Sequence, residues 1–176
     1  MDLLSLVVLQ AQPPMQPEPD ALLRLFGSAA QIAGTFLGTL VVGALLLAFA
    51  PDFTERIMDT AEDEPVTSFL WGLGIFVALI VVTVVLVITI VGIVLAIPLL
   101  IVMFVLYLVG SAIVFILVGE RLAEAGDVDT SRWGHLVVGA LVAAVLAAIP
   151  FVGGLVNFVV NAVGVGAMAY RWRSGA

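Results

Sequence analysis

Five residues near the C-terminus, Gly154, Asn157, Asn161, Gly164 and Met168, recur at spacings of three and four and so share one helical face. Two asparagines on an otherwise apolar face have two uses: they hydrogen-bond a neighbouring helix, or they line a small polar cavity that admits a solute or ligand. His135 lies beside Arg132 and Trp133, where an imidazole is an interfacial group or a pH-sensitive ligand site. Glu120 and Arg121 form a boundary pair at the end of an apolar run. The acidic run Asp59, Glu62, Asp63 and Glu64 could gather divalent cations, but no glycine-turn scaffold holds its carboxylates in a loop, and a solvated acidic surface is the expectation. No nucleophile is paired with a base and no metal-spaced cluster occurs, which argues against an enzyme. With no cysteine, thiolate chemistry, disulfides and cysteine-based metal centres are excluded. No cofactor-binding pattern is found.

The elements that carry these residues are dictated by lipid. Hydrophobic residues make up 63% of the chain and charged residues 11%, against roughly 45–50% and about 25% in soluble domains. Nineteen charges gathered into a few short stretches cannot cover a water-facing surface. Thirteen acids against six arginines and no lysine give a net charge of −7, which excludes nucleic acid as a partner because no basic stripe exists to neutralise phosphates. The same acidic, lysine-free balance fits an archaeal or other halophilic host with high internal salt, or a GC-rich coding bias with short acidic loops.

The expected architecture is an all-α integral membrane domain: one transmembrane helix followed by two helical hairpins, with an amphipathic helix at the membrane surface. Residues 1–20 read as a Pro-rich N-terminal tail. Their run Leu3–Leu9 is too short to span, and the positive charge that precedes a signal sequence is missing, so an interfacial anchor, a signal and a loose tail all remain open. Residues 21–173 form a single membrane domain, with Asp20 as its N-cap. The first span, 29–50, has no charge and reaches about 33 Å, enough for a core of about 30 Å. Gly34 and Gly38, with Ala30, put small residues four apart, which lets another helix approach closely. Pro51 re-aims the chain, and Asp52 with Glu55 makes a capping-box pattern for the amphipathic helix 52–62.

Residues 66–118 carry no charge and would extend about 80 Å as one helix, so they must double back. The reversal is expected around 88–98, where Gly92 and Pro98 weaken the run, giving spans at 68–89 and 93–118. A strand reading of this β-branched stretch fails, because an open sheet edge in lipid leaves backbone groups unpaired. The last two segments, 135–149 and 155–170, are short. They either cross a thin bilayer or form a re-entrant hairpin.

This topology places both acidic loops and the C-terminus on one side together with Arg56, Arg121, Arg132, Arg171 and Arg173, against Arg24 alone on the other. By the positive-inside rule that side is cytoplasmic, with the N-terminus outside, in the cell membrane. Trp71, Trp133 and Trp172 all sit at the same boundary, as interface anchors would.

The segments "FAPDFTERI", "EPVTSFLWGLG", "ITIVGIVLAIPLL", "LVGERLAEAG" and "AAIPFVGGLVNFVVNAVGVGAMAYRWR" together resemble an uncharacterised multi-pass membrane domain of archaea and bacteria. That domain is found C-terminal to bactofilin-like, polymer-forming cytoskeletal repeats. The resemblance covers about residues 28–173. The family places proline almost directly after its Ile-Gly pair, whereas Gly92 and Pro98 are here separated by five residues, and residues 1–27 are too few to hold the bactofilin repeats. The resemblance implies a membrane tether. The expected function is thus a non-catalytic scaffold or anchor that associates with itself or with an envelope or cytoskeletal protein. The alternative is a small channel or transporter with a polar path near Asn157 and Asn161.

Overall fold

The computed structural model describes residues 19–88 and 90–175, and among these the chain is helical throughout apart from short turns and contains no strand. The helices are α1 (Pro19–Phe49), α2 (Pro51–Asp63), α3 (Pro65–Ile88), α4 (Ile90–Ala125), α5 (Arg132–Ala147) and α6 (Val152–Ser174). A single helix, α1, is followed by the hairpins α3/α4 and α5/α6, with α2 packed at their common polar end. Residues Phe26–Phe49, Pro65–Ile88, Val94–Ala125 and Val152–Ser174 are each long and apolar enough to cross a membrane, while α5 is shorter at 16 residues, about 24 Å. The N-terminal tail expected over 1–20 lies almost wholly outside the described residues.

The distribution of side-chain sizes shows which solvent the fold is built for. The buried set is rich in Ala112, Ala140, Ala143, Ala144, Ala162 and Ala167, whereas Phe49, Val94, Phe104, Val145 and Leu155 face outward. Lipid gives large apolar side chains no reason to turn inward, so close backbone approach between small residues becomes the source of cohesion. The chain is an all-α membrane protein.

Helix α4 lies at the centre and touches α1, α3, α5 and α6, whereas α3 rests chiefly on α6, and α1 on α5 and α4. Glycines mark the seams. A Cβ at Gly72 would strike the Ala162 carbonyl, and one at Gly166 the Ser68 carbonyl, so α3 and α6 meet backbone to backbone. Gly110 and Gly164 join α4 to α6 in the same way, as Gly119 and Gly139 join α4 to α5.

The amphipathic helix spends its apolar face on protein. Thr54, Ile57 and Ala61 are buried, with Ile57 and Ala61 in a core cluster with Ile113 and Ala167. Arg171 donates to the Arg56 carbonyl at 3.2 Å and to Thr60 Oγ1 at 3.2 Å, while Arg121 pairs with Glu62 and Arg132 with Glu55. The expected capping box is not formed: Ala50 is the N-cap without a side-chain bond, and Glu55 is instead turned toward Arg132.

Several boundaries differ from expectation. Helix α3 runs to Ile88, and α4, described from Ile90, continues through Gly92 and Pro98. Pro98 has no N–H to return to Val94, yet bilayer helices tolerate proline and glycine that would end a helix in water. Asp20 is itself helical, and the segment 21–27 continues into the span. Helix α6 is 23 residues and therefore not short. The α5/α6 turn uses Phe151, at φ 62 and 93% exposed, as its left-handed residue, while Gly153 and Gly154 are already helical.

Candidate functional site

Helices α3, α4 and α6 border an apolar cleft of about 550 Å³. Gly72, Ile75, Phe76 and Leu79 of α3 face Leu100, Met103, Phe104 and Tyr107 of α4 across it. Phe158, Asn161, Ala162 and Val165 of α6 form its floor. Phe76 and Phe158 meet edge to face at 5.5 Å, an arrangement in which the positive ring edge addresses the negative ring face.

The polar groups of the cleft belong to a short hydrogen-bonded thread. Tyr107 Oη donates to Asn157 Oδ1 at 3.1 Å, tying α4 to α6. Asn161 Nδ2 donates to the Asn157 carbonyl at 2.8 Å and to Asn157 Oδ1 at 2.6 Å. Both neighbours of Nδ2 are acceptors, so the Asn161 amide cannot be reversed without setting oxygen against oxygen. Asn161 is 7% exposed, and its Oδ1 is buried without a partner. A buried acceptor left unmade costs roughly 1–3 kcal/mol. The residues lining the cleft thus offer acceptors: Asn161 Oδ1 and the lone pairs of Tyr107 Oη.

On the far side of the same thread, Tyr107 and Asn157 line a smaller cleft of about 170 Å³ together with Gly34, Thr35, Gly38, Thr39 and Ser111. Gly34 and Gly38 have open space where a Cβ would stand, as does Gly154, so within this chain they admit no helix. Of the small residues on the asparagine face, Gly164 alone is in a tight seam, against Gly110. Asn161 bonds within α6, and the interhelical bond is made by Asn157.

At the polar end, Trp71 is covered by the Arg173 guanidinium at 5.1 Å, while Trp133 is 52% and Trp172 90% exposed. His135 lines a polar recess of about 150 Å³ with Glu55, Asp59, Glu62, Glu120 and Arg132. Among the described residues no group of histidine, aspartate and glutamate is arranged to hold a metal ion. The acidic run is dispersed: Glu62 pairs with Arg121, and Glu64 accepts from Thr67 Oγ1 at 2.8 Å.

Tyr107 escapes a sequence reading because one hydroxyl in an apolar run has no spacing signal; Ser68–Gly72 and Ala162–Gly166 are small residues four apart like Gly34 and Gly38, but spacing alone does not say which such pairs find a partner, and Gly110 lacks the repeat. The rings of Phe76, Phe104 and Phe158 come together only through the antiparallel register of α3 on α6. No curated protein and no solved structure matches the chain. A family model does, over residues 3–176, and the chain belongs to that family, Domain of unknown function (DUF8173).

Proposed function

We propose that this protein is a non-catalytic membrane scaffold that presents a rigid acidic platform to a protein partner at the membrane surface. The observation that carries this reading is the way α2 is fixed. Its apolar stripe is buried in the bundle, and Arg121, Arg132 and Arg171 are engaged on α2 itself while Arg173 lies over Trp71. With these four arginines turned to internal partners, Asp52, Asp59, Asp63, Glu64, Asp127 and Asp129 are left exposed around them and outnumber Arg56, the exposed arginine of α2. Such a surface recognises a basic segment by charge complementarity and speeds its encounter.

The arginine count supports a cytoplasmic position for this platform by the positive-inside rule. The resemblance to the membrane domain that follows bactofilin-like repeats makes a polymer-forming cytoskeletal protein the partner of choice. The acidic, lysine-free surface suits a halophilic cytoplasm.

Because the sequence contains no cysteine, a single cysteine at Asp59→Cys can carry a photo-crosslinker without background labelling. Crosslinking in native membranes is expected to give one discrete adduct from Asp59→Cys and none from a lipid-facing control at Val145→Cys. Solute flux through reconstituted protein that is lost in Asn157→Leu would overturn the scaffold in favour of a channel.

A further inference from the structure

We infer that the cleft between α3, α4 and α6 binds a membrane-dissolved lipid with a phenolic headgroup of the hydroquinone type, its hydroxyl donating to Tyr107 Oη on entry and to Asn161 Oδ1 once seated. Three independent features select this chemistry. The first is the orphan: Asn161 Oδ1 belongs to a side chain more than nine-tenths buried, and nothing in the fold satisfies it. Both Nδ2 protons are spent on Asn157 and the Tyr107 proton is spent on Asn157 Oδ1, so the cleft can receive hydrogen bonds and cannot give them. An occupant must carry an O–H or N–H. A quinone, ester or ether, which only accepts, would leave its oxygens and the site's oxygens both unmade in a dry medium, the costliest arrangement for each.

The second feature is the wall. Phe76, Phe104, Tyr107 and Phe158 put four aromatic rings around one cleft. Rings so placed favour offset or edge-to-face contact with another ring and give an aliphatic alcohol no such gain. The third is depth. Asn161 lies nine residues from the start of α6 at Val152 and ten from Arg171, about 14–15 Å from either end. A charged or zwitterionic headgroup is costly at that depth, and no charged residue lines the cleft to receive one. A neutral phenol on an apolar tail can reside there. Asn161 Oδ1 exposes less than 1 Å², so the entering hydroxyl must displace a wall side chain to reach it. Tyr107, 43% exposed, is the acceptor met first.

The test uses the full chain in lipid nanodiscs and three probes that share a decyl tail: a benzohydroquinone, its benzoquinone and its dimethyl ether. Equilibrium binding is expected to favour the hydroquinone over the ether and the quinone by roughly tenfold or more, the change that follows from satisfying one buried acceptor. Asn161→Leu is expected to erase that preference while retaining residual apolar affinity, and Tyr107→Phe to reduce it. Leu79→Trp, which fills the cleft from α3, is expected to abolish saturable binding of all three probes. Helical circular dichroism and the detergent-unfolding midpoint show that each variant is folded. Equal affinity for hydroquinone and ether, a preference that survives Asn161→Leu in a folded variant, or saturable binding undiminished by Leu79→Trp would each overturn the inference, as would no saturable binding of hydroquinone to the parent protein.

Discussion

Replacing Gly72 with alanine adds one methyl group at the tightest seam in the molecule. A Cβ built there lies 2.6 Å from the Ala162 carbonyl carbon and 2.8 Å from its Cα, against the roughly 3.5–4.0 Å at which carbon atoms rest. Backbone on both sides leaves no rotamer to yield, so α3 and α6 must part by about 1 Å. On a 6–12 potential a radial gap of about 0.5–1 Å forfeits a quarter to a half of the dispersion well at each contact. The loss extends along the seam through Ser68 and Gly166 to the Phe76–Phe158 pair. Overpacking of this kind costs about 1–3 kcal/mol, and α3 has little else to hold it, since Ser68 and Gly72 are its buried residues. Gly74, two residues along, is the control: nothing lies within 4 Å of its Cβ position, and alanine there gains up to about 1 kcal/mol of helix propensity. In mixed micelles titrated with sodium dodecyl sulfate, the Gly72→Ala midpoint should fall well below that of the parent, with Gly74→Ala equal to the parent or above it. Gly72→Ala and Gly74→Ala unfolding together would refute the register of α3 on α6.

Ile57 is 1% exposed at the centre of the α2 contact, so Ile57→Ala should cost about 2–5 kcal/mol and release α2, read as faster proteolysis within 51–63 while the transmembrane helices remain folded. Glu55→Ala breaks a pair whose side chains are more than half exposed, so the unfolding midpoint should move by less than about 1 kcal/mol. Arg171→Ala removes two hydrogen bonds to α2, and amide hydrogen exchange over 51–63 should rise more than it does in Glu55→Ala.

The sequence reveals what lipid imposes and conceals what depends on register. Uncharged runs set the number of helices, since length against bilayer thickness is arithmetic. Pro51 and Pro65 stand at the starts of α2 and α3 as they would in water, because both lie at the polar end where water reaches. Gly92 and Pro98 mislead for the opposite reason: inside the bilayer a helix is the cheapest state of the backbone, and a weak breaker does not outweigh it. Small-residue spacing locates faces able to pack closely without saying which of them find a partner. Gly34 and Gly38 meet open space, whereas Ser68–Gly72 and Ala162–Gly166, small residues at the same spacing, meet each other's backbone. The asparagine face is visible as a periodicity. Its chemical polarity, with its donors spent on Asn157, follows from Tyr107, brought to it by a residue separation of 50.

Asn161 separates a structural role from a binding role, because the two predict opposite signs for one substitution. If this side chain held the bundle together, removing it would loosen α6 from its neighbours. Its bonds run instead to Asn157 on its own helix, and intrahelical bonds survive separation of the helices, so they add nothing to association. What Asn161 does carry in the folded state is a buried acceptor without a donor, and replacing such a group by an apolar one of similar size is neutral to stabilising. Asn161→Leu should therefore unfold at the same or a higher detergent fraction than the parent, with helical content unchanged. A loss of more than about 1 kcal/mol would assign the residue to packing. An equal or raised midpoint means that the chain carries a destabilising group in the wall of the cleft between α3, α4 and α6, and such a group is explained by what occupies the cleft rather than by the fold.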